Sequence, residues 1–348
     1  MSASHPTAPE GAARPRVGIV EVHPSATDPV EHARFNAWAR VFDRSQWHDL
    51  GRSDAWPADE LRTLQQTTTH KRVHLAALDP VGVVVAAAVV ILALRDNLHL
   101  AVLSQAVLPE HRRQGIGSAL LAVAEQVARE HGRTSIVVET DWSGEDALSG
   151  DSSGEFAKRH GYAPTQTMFV SAYDLSNAPA FEVPVPQGYA IETHLGTPPE
   201  ADATDRAHLA RRMSTDAPFG DSDWGEEDWD ADRVRELDAR IAAIDRGRVH
   251  AFARHLESRR LVGFTEIQLP AEAQHLGYQQ DTLVLREHRG HGLGLALKAA
   301  AAAALRDAYP RVRSVRTWNA VENTHMLAIN RAMGYAPIGF SREWQKRM

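Results

Sequence analysis

The 348-residue chain contains no cysteine. This absence excludes a disulfide framework, a thiolate nucleophile and any metal or iron–sulfur site that needs cysteine ligands. Aromatic residues make up only 7% of the sequence, and the 38 Lys and Arg are outnumbered by 45 Asp and Glu. The net charge of −7 argues against general nucleic-acid binding and favours a small or cationic partner.

Long apolar runs are also missing. The longest, residues 81–94, is shorter than the roughly 20 residues that cross a bilayer, so we interpret it as buried β-structure and expect no membrane contact. Residues 1–16 are rich in Ala, Pro, Ser and Gly and have no apolar core. This composition predicts a disordered leader rather than a secretory signal, and with it a cytoplasmic protein.

A repeat organises the rest of the chain. Residues 107–120 return as residues 284–297 with nine of fourteen positions identical, and the Gly-Tyr-Ala-Pro of residues 161–164 returns at residues 334–337. Two echoes in the same order at nearly the same spacing indicate a duplicated domain. We place the boundary near residue 176, beside a proline-containing stretch typical of a linker, and predict domains at 17–175 and 176–348.

Hydrophobic periodicity predicts the same order of elements in both halves. In the first half we predict strands at 17–21, 73–78, 81–94, 99–107, 135–139 and 169–173, and helices at 29–43, 117–131 and 153–160. In the second half we predict strands at 189–194, 249–255, 261–269, 275–284, 314–318 and 340–344, and helices within 199–213, 294–304 and 323–333. Each final strand is expected to complete the sheet of its own half.

Both repeats carry Arg-x-x-Gly-x-Gly where a predicted strand meets a predicted helix. Glycines there let a ligand approach the backbone, and the first N–H groups of the helix point outward, which predicts a pyrophosphate site. Arg112 and Arg289 begin the two loops and are expected to donate to a phosphate oxygen. Taken singly, such glycines also serve tight turns or close helix packing. The spacing matches neither the dinucleotide-binding motif nor the NTPase phosphate loop.

The motif in its duplicated setting resembles the GCN5-related N-acetyltransferase superfamily, over almost the whole chain and in tandem, as in the mycothiol synthase type. The resemblance implies an α/β (α+β) fold of two tandem domains, each with a mixed, mostly antiparallel sheet flanked by helices. It implies acetyl-CoA as cosubstrate and the primary amine of a small, cationic molecule as acceptor. A monomer or a homodimer is expected, since a tandem pair already buries a domain interface.

The resemblance also implies which residues hold acetyl-CoA. In the second half these are Leu283, Val284, Leu285, Arg289, Gly290, His291, Gly292, Leu293 and Gly294. In the first half they are Val107, Arg112, Arg113, Gln114, Gly115, Ile116 and Gly117. The second half adds Asn319, Asn323 and Asn330, similar to family asparagines that contact the cofactor, although Asn323 alone is equally a good helix N-cap.

Acetyl transfer to an amine needs a base for the amine and a proton for the departing thiolate. The family often supplies that proton from a tyrosine, but this chain has Ala157 and Asn330 at the two matching positions. The acid is therefore unassigned, with water or direct proton return as alternatives. Strand alternation makes Glu266 the one carboxylate on its face of strand 261–269, so we predict it as the base, with Tyr278 and Asp281 in reserve. The alternative for Glu266 is a solvated carboxylate at a sheet edge.

The strands of the first half that correspond to 261–284 show no comparable carboxylate, so the second half is expected to be catalytic and the first a degenerate copy that still holds CoA. Reversed roles, or a non-catalytic acyl-CoA-binding module, are the alternatives. Residues 216–238 combine ten carboxylates with Phe219, Trp224 and Trp229, which indicates either a site for a cationic amine or an acidic surface loop. Histidine spacing predicts no metal site.

Overall fold

The computed structural model describes residues 17–24, 27–65, 67–144, 151–176, 183–216, 218, 220–271 and 275–348. The predicted leader, residues 1–16, lies outside the described residues, as do residues 177–182 of the predicted linker. None of the helices in the described ranges combines the length and the apolar character that crossing a membrane requires.

Each predicted element forms, with bounds that differ by several residues. The first half contains β1 Gly18–Glu21, α1 Pro29–Leu50, α2 Ala58–Thr63, β2 His70–Leu78, β3 Val84–Ala93, β4 Leu100–Val107, α3 Ile116–Glu130, β5 Ser135–Trp142, α4 Ser152–Arg159 and β6 Ala163–Asp174. The second half contains β7 Tyr189–Leu195, α5 Ala203–Asp216, α6 Ala231–Ala243, β8 Gly247–His255, β9 Leu261–Leu269, β10 Leu276–Val284, α7 Leu293–Ala308, β11 Ser314–Ala320, α8 Thr324–Met333 and β12 Ala336–Arg347. Helices α2 and α6 are additions to the predicted set, because both lie in strongly charged stretches.

All twelve strands in the described ranges form one sheet, in the order β1-β2-β3-β4-β5-β12-β6-β11-β10-β9-β8-β7. The pairs β4–β5 and β10–β11 are parallel, and the other neighbours are antiparallel. The predicted fold class, a mixed and mostly antiparallel sheet in each of two halves, is confirmed.

The final strands are exchanged between the halves. Strand β6 pairs with β11 and β12, and β12 pairs with β5 and β6. The prediction that each final strand completes its own half was therefore wrong. Trp344 of β12 is buried in the core under α3, and Tyr173 of β6 is buried in the core under α7. Alternation along a strand predicts which face is buried but not which strand lies beside it, since either neighbour satisfies the pattern.

Helices cover both faces of the sheet. In the first half α3 packs on β2, β3 and β4 in one apolar cluster, while α1 packs on the opposite face through Phe35 and Trp38. In the second half α7 covers β8 and β9 with a run of small residues, among them Ala301, and with Leu297. The face opposite α7 is covered by α5 and α6, and there the packing leaves a cavity.

Candidate functional site

The sheet opens between the two strands of each parallel pair. Strands β10 and β11 pair only from Leu276–Tyr278 to Ser314–Arg316. Beyond that point β10 stays paired with β9 as far as Val284, and β11 stays paired with β6 as far as Ala320. The edge of β10 that faces this gap therefore carries backbone N–H and C=O groups without a strand partner.

A loop of the same shape follows β4 and β10. Gly115 and Gly292 precede α3 and α7 with φ of 80° and 77°. Two residues earlier, Gly290 has φ of 83° and its counterpart Arg113 has φ of 63°, so the first loop keeps the left-handed conformation without glycine. The two loops thus share one backbone path.

The helices that follow these loops start without a side-chain cap. Neither α3 nor α7 has a capping side chain, whereas α1, α4, α6 and α8 are capped by Asp28, Asp151, Asp230 and Asn323. The first N–H groups of α3 and α7 are therefore left for another acceptor. An anionic group such as a pyrophosphate suits that position.

The arginines that begin the loops are held by protein groups. Nε of Arg112 donates to the carbonyl of Val107 at 2.9 Å, and its two Nη atoms bind Asp49 at 2.7 and 2.9 Å. Arg289 repeats this arrangement with Val284 at 3.0 Å and Asp216 at 2.7 Å. Both arginines tie the loop to the end of its strand, and their predicted bond to phosphate stays a prediction.

The other predicted cofactor residues flank these groups. Leu283, Leu285, Ile116 and Leu293 are buried beneath the loops. Gln114 and His291 lie on the exposed outer side, each bonded to a carbonyl of its own loop. A Cβ at Gly294 would lie 3.1 Å from Cδ1 of Ile329, and one at Gly117 would lie 3.5 Å from Val107, so both glycines permit close packing.

Two of the three predicted asparagines meet. Nδ2 of Asn330 donates to Oδ1 of Asn319 at 2.6 Å, on the part of β11 that borders the gap. Asn323 instead caps α8, with Oδ1 accepting from the N–H of Met326 at 3.2 Å. The capping interpretation of Asn323 therefore describes what it does in the structure.

A cavity of about 330 Å³ lies between helices α5 and α6 and strands β8–β10. Its wall carries the indole of Trp229, four carboxylates and four arginines, namely Glu227, Glu236, Glu266, Asp281, Arg206, Arg233, Arg240 and Arg248. Thr69 and His70 of the first half also line it, so both halves contribute to the wall.

A β-bulge in β10 shapes this wall. The pairing of β10 with β9 shifts between Gln279 and Thr282, which inserts one extra residue into β10. Gln280 and Asp281 consequently both line the cavity. Regular alternation would place two consecutive residues on opposite faces of the strand, and the bulge removes that alternation here.

Asp281 has the carboxylate best suited to accept a proton. Among the described residues no hydrogen bond or ion pair engages its carboxylate oxygens. Its side chain is exposed to solvent at the open side of the cavity, and partial desolvation by the cavity wall, together with the charges of Glu266 and Glu227, raises the pKa of Asp281 to about 6. A carboxylate with this pKa is mostly ionised at neutral pH yet is a stronger base than an ordinary aspartate.

Glu266, the predicted base, is committed to an ion pair. Arg248 binds both of its oxygens, at 2.9 and 3.1 Å, and the side-chain amide of Gln268 binds one of them at 2.8 Å. Burial alone would raise its pKa, but His250 and Arg248 hold the pKa of Glu266 below the usual value. Glu266 is only 9% exposed on an interior strand, so the alternative of a solvated edge carboxylate was also wrong.

Tyr278, the other reserve, is occupied elsewhere. Its hydroxyl donates to Asp54 of the first half at 3.0 Å, and its ring stacks on Trp318. Burial, followed by the charge of Asp54, raises the pKa of Tyr278. The residue lies at the junction of the halves and is not among those that line the cavity.

For residues 216–238 the sequence allows either a site for a cationic amine or an acidic surface loop, and different parts of the stretch fit each interpretation. Asp230 binds Arg95 at 3.0 Å and Trp224 donates to Glu343 at 3.1 Å, so this part fastens the stretch to other elements of the sheet. Glu227 and Trp229 instead line the cavity. Phe219 lies outside the described residues.

In the first half the corresponding space is filled. Trp38 is buried between α1 and the sheet, stacks on Phe35, and donates to the carbonyls of Leu75 and Ala88 at 3.0 and 3.1 Å. Strand β4 pairs with β3 without a register shift, so it has no bulge like that of β10. This interior offers aromatic packing where the second half has a charged cavity.

One carboxylate of the first half, that of Glu139, was not identified from the sequence. Glu139 lies on β5 at the gap beside β4 with its side chain exposed to solvent, and partial desolvation, followed by the charges of Asp141 and Glu343, raises the pKa of Glu139 to about 7. The sequence argument considered only the strands before the glycine loop. The signal that would have found Glu139 is a Glu directly after the apolar run of residues 136–138 in the strand that follows the loop.

The sequence matches the acetyltransferase (GNAT) family over residues 39–149 and 212–335, more than half of the chain. A tandem GNAT protein from the clavulanic acid biosynthesis pathway shares 24% identity, with 95% of this chain and 98% of that one aligned at a TM-score of 0.78. A GCN5-related N-acetyltransferase from Sphaerobacter thermophilus shares 20% identity over 98% and 97% of the chains, with a TM-score of 0.65. No curated protein matches the sequence.

Structural likeness at such identities shows the fold, and the closer resemblance to the mycothiol synthase type stays a prediction. The family match covers both repeats and both glycine loops. The chain belongs to the acetyltransferase (GNAT) family and has the tandem GNAT fold.

Proposed function

We propose that the protein transfers an acetyl group from acetyl-CoA to the primary amine of a small molecule, and that the second half carries out this chemistry. The observation that carries the proposal is Asp281 at the bulge of β10, whose carboxylate has no hydrogen-bond or ion-pair partner in the part of the chain that the structure describes. It lies where the cavity reaches the strand that borders the gap.

The second half suits acetyl-CoA, which would supply an activated thioester. The free edge of β10 offers backbone groups to the amides of the pantetheine arm. The N–H groups from Arg289 to Gly294, at an uncapped helix start, suit the pyrophosphate. The first half has the same loop, and we propose that it also holds CoA as a degenerate copy.

Residues of the cavity would prepare the amine. A small ammonium would be attracted by the carboxylate of Asp281. Glu227 and Trp229 are less available, because Glu227 accepts from Trp229 and pairs with Arg233, and the guanidinium of Arg233 lies 4.2 Å from the centre of the Trp229 ring. Ionised Asp281 removes one proton, and the neutral amine attacks the thioester carbonyl. Asn330 stands where the family often has a tyrosine acid. In this proposal the nitrogen that has attacked the thioester becomes positively charged, and it gives its proton to the departing thiolate.

The test follows release of free CoA with a thiol reagent, for which a cysteine-free protein gives no background. Acetyl-CoA is incubated with primary amines such as putrescine, benzylamine and glucosamine. Asp281→Asn should lower kcat/KM about 100-fold, a typical loss for a general base, and should abolish the rise in kcat/KM with pH through about 6. Glu266→Gln is the matched control and should keep a rise, moved to lower pH because the charge of Glu266 no longer raises the pKa of Asp281.

Two results would contradict the proposal. An unchanged pH profile in Asp281→Asn would remove Asp281 from the mechanism. Tight acetyl-CoA binding without CoA release for any amine would favour the non-catalytic acyl-CoA-binding module, which the missing tyrosines support.

Catalysis by the first half is the second candidate, and Glu139 is the observation that favours it. Its raised pKa and its place beside the β4–β5 gap suit a base for that half. If the first half acts, Glu139→Gln should stop CoA release and Asp281→Asn should not.

A further inference from the structure

The second half buries a lysine that forms no ion pair. Lys298 of α7 is 1% exposed, and its ammonium donates to Oδ1 of Asn330 at 2.9 Å. It lies 5.4 Å from the centre of the Tyr335 ring. Among the described residues no carboxylate pairs with it. Such a charge destabilises the fold unless it is neutralised, so its presence calls for a role other than packing.

The duplicated half shows that the fold does not need this charge. Leu121 takes the place of Lys298 in the repeated motif, and Ala157 takes the place of Asn330. Since Leu100 pairs with Ser135 as Leu276 pairs with Ser314, Thr140 takes the place of Asn319. All three polar residues are thus present together in one half and absent together from the other.

The hydrogen bonds that link Lys298, Asn330 and Asn319 all donate in the same direction. An ammonium only donates, so Asn330 must turn Oδ1 toward Lys298 and Nδ2 toward Asn319. Oδ1 of Asn319 then accepts from Asn330 at 2.6 Å, which leaves Nδ2 of Asn319 as the donor at the end of the chain. Among the described residues nothing accepts from that Nδ2, and Asn319 borders the gap between β10 and β11.

We propose that Lys298 is a positioning residue for acyl-CoA: its ammonium orients Asn330 and Asn319 so that Nδ2 of Asn319 donates to a carbonyl oxygen of acyl-CoA in the β10–β11 gap. The inference rests on the proposed function for the presence of acyl-CoA. A positive charge at the far end of a hydrogen-bond chain polarises each donor in turn and strengthens the last one.

This arrangement predicts a pH dependence. Burial lowers the pKa of Lys298 to about 7. The groups that face it are Asn330 of α8 and the phenol of Tyr335, whose pKa is raised by burial and by Tyr173 of β6. Above pH 7 the neutral amine can accept as well as donate, so it no longer fixes the orientation of Asn330. Affinity for acyl-CoA should therefore fall as pH rises through 7.

The test measures the Kd of acetyl-CoA by calorimetry between pH 6 and pH 8, in a Gly115→Glu background so that only the second loop reports. The wild-type second half should lose about 10-fold in affinity over this range, the scale of one hydrogen bond to a charged group. Lys298→Met should bind about 10-fold more weakly at pH 6 and show no pH dependence. Leu121→Met, at the matching position of the first half, should behave as the parent.

Lys298→Met removes a buried charge and keeps the volume, so it should unfold at the same or a higher temperature. Asn319→Ala keeps the lysine and removes the final donor together with the oxygen that accepts from Asn330, and it should weaken acetyl-CoA binding across the whole pH range. A wild-type pH profile in Lys298→Met, or wild-type affinity in Asn319→Ala, would overturn the inference.

Failure of the proposed function gives a different result. If acetyl-CoA does not bind at any pH, the proposed function fails, and the side-chain amide NMR signals of Asn319 and Asn330 in the free protein still report on the chain. They should titrate together with Lys298 near pH 7, and signals that stay constant through that pH would overturn the orienting role.

Discussion

The two halves share one loop and differ in what surrounds it. Both loops follow the same left-handed path, and both precede a helix without a side-chain cap. Beside the loop, the first half packs Phe35 and Trp38 where the second has a cavity with Asp281. The comparison teaches that the backbone path of the loop does not depend on the side chains beside it, since the loop is the same in both halves and those side chains differ.

The sheet makes the two halves depend on each other. Because β12 lies between β5 and β6, neither half has a complete sheet from its own residues. A chain cut at the predicted boundary tests this most severely. Residues 1–176 alone should fail to fold, since the β5 edge is bare and the core under α3 lacks Trp344. Co-expression with residues 177–348 should restore a 1:1 complex, seen by gel filtration and circular dichroism. Cooperative unfolding of the isolated first fragment would show that the exchange is dispensable.

Substitution of a loop glycine by glutamate, in one half at a time, tests which half is catalytic. Gly292→Glu puts a carboxylate and a strained φ into the second anion site, and CoA release should fall at least about 100-fold, equivalent to roughly 2.7 kcal/mol in the barrier. Gly115→Glu introduces the same change in the first loop, and turnover should stay within about twofold of the wild type. The opposite ranking would assign the chemistry to the first half.

The charged interior of the second half should lose stability in acid through Glu266, whereas in the aromatic interior of the first half the titrating group is His74, whose pKa burial lowers to about 4. Glu266→Gln leaves buried Arg248 with Asp238 as its remaining partner and should cost roughly 2 kcal/mol of unfolding free energy. The pKa of Glu266 is lowered in the folded protein, so its contribution is present above the unfolded pKa and disappears as pH falls through the folded value. Urea unfolding from pH 7 to pH 3 should show a shallower loss in Glu266→Gln, while Trp38→Phe should keep the wild-type slope.

The smallest effect is expected from exchanging Arg113 and Gly290, which occupy the same left-handed position of the two loops. Arg113 has φ of 63° where the second loop has Gly290. Arg113→Gly should stabilise the protein by up to about 1 kcal/mol, and Gly290→Arg should cost a similar amount. Thermal unfolding of the two variants measures both. Shifts of equal sign would mean that the side chain at this position, rather than the backbone, sets the energy.

The repeat made much of this fold predictable, because every element found in one half supported its counterpart in the other. Patterns of alternation could not predict the bulge that brings Gln280 and Asp281 to one cavity, since a bulge arises from pairing with β9. They also led to Glu266 as the base, because sequence shows a lone carboxylate but not the arginine on the neighbouring strand that neutralises it. Glu139 was missed for the same reason: its environment is created by β12.

Strand β12 follows all the other strands in the chain, yet it completes the sheet of the first half. Chains are synthesised at about 5–20 residues per second, so the first half spends many seconds outside the ribosome with the β5 edge open. Its core under α3 cannot close until Trp344 has been made. We therefore expect the two halves to complete their folding together after synthesis, and deletion of the first copy to leave β12 without its neighbours β5 and β6.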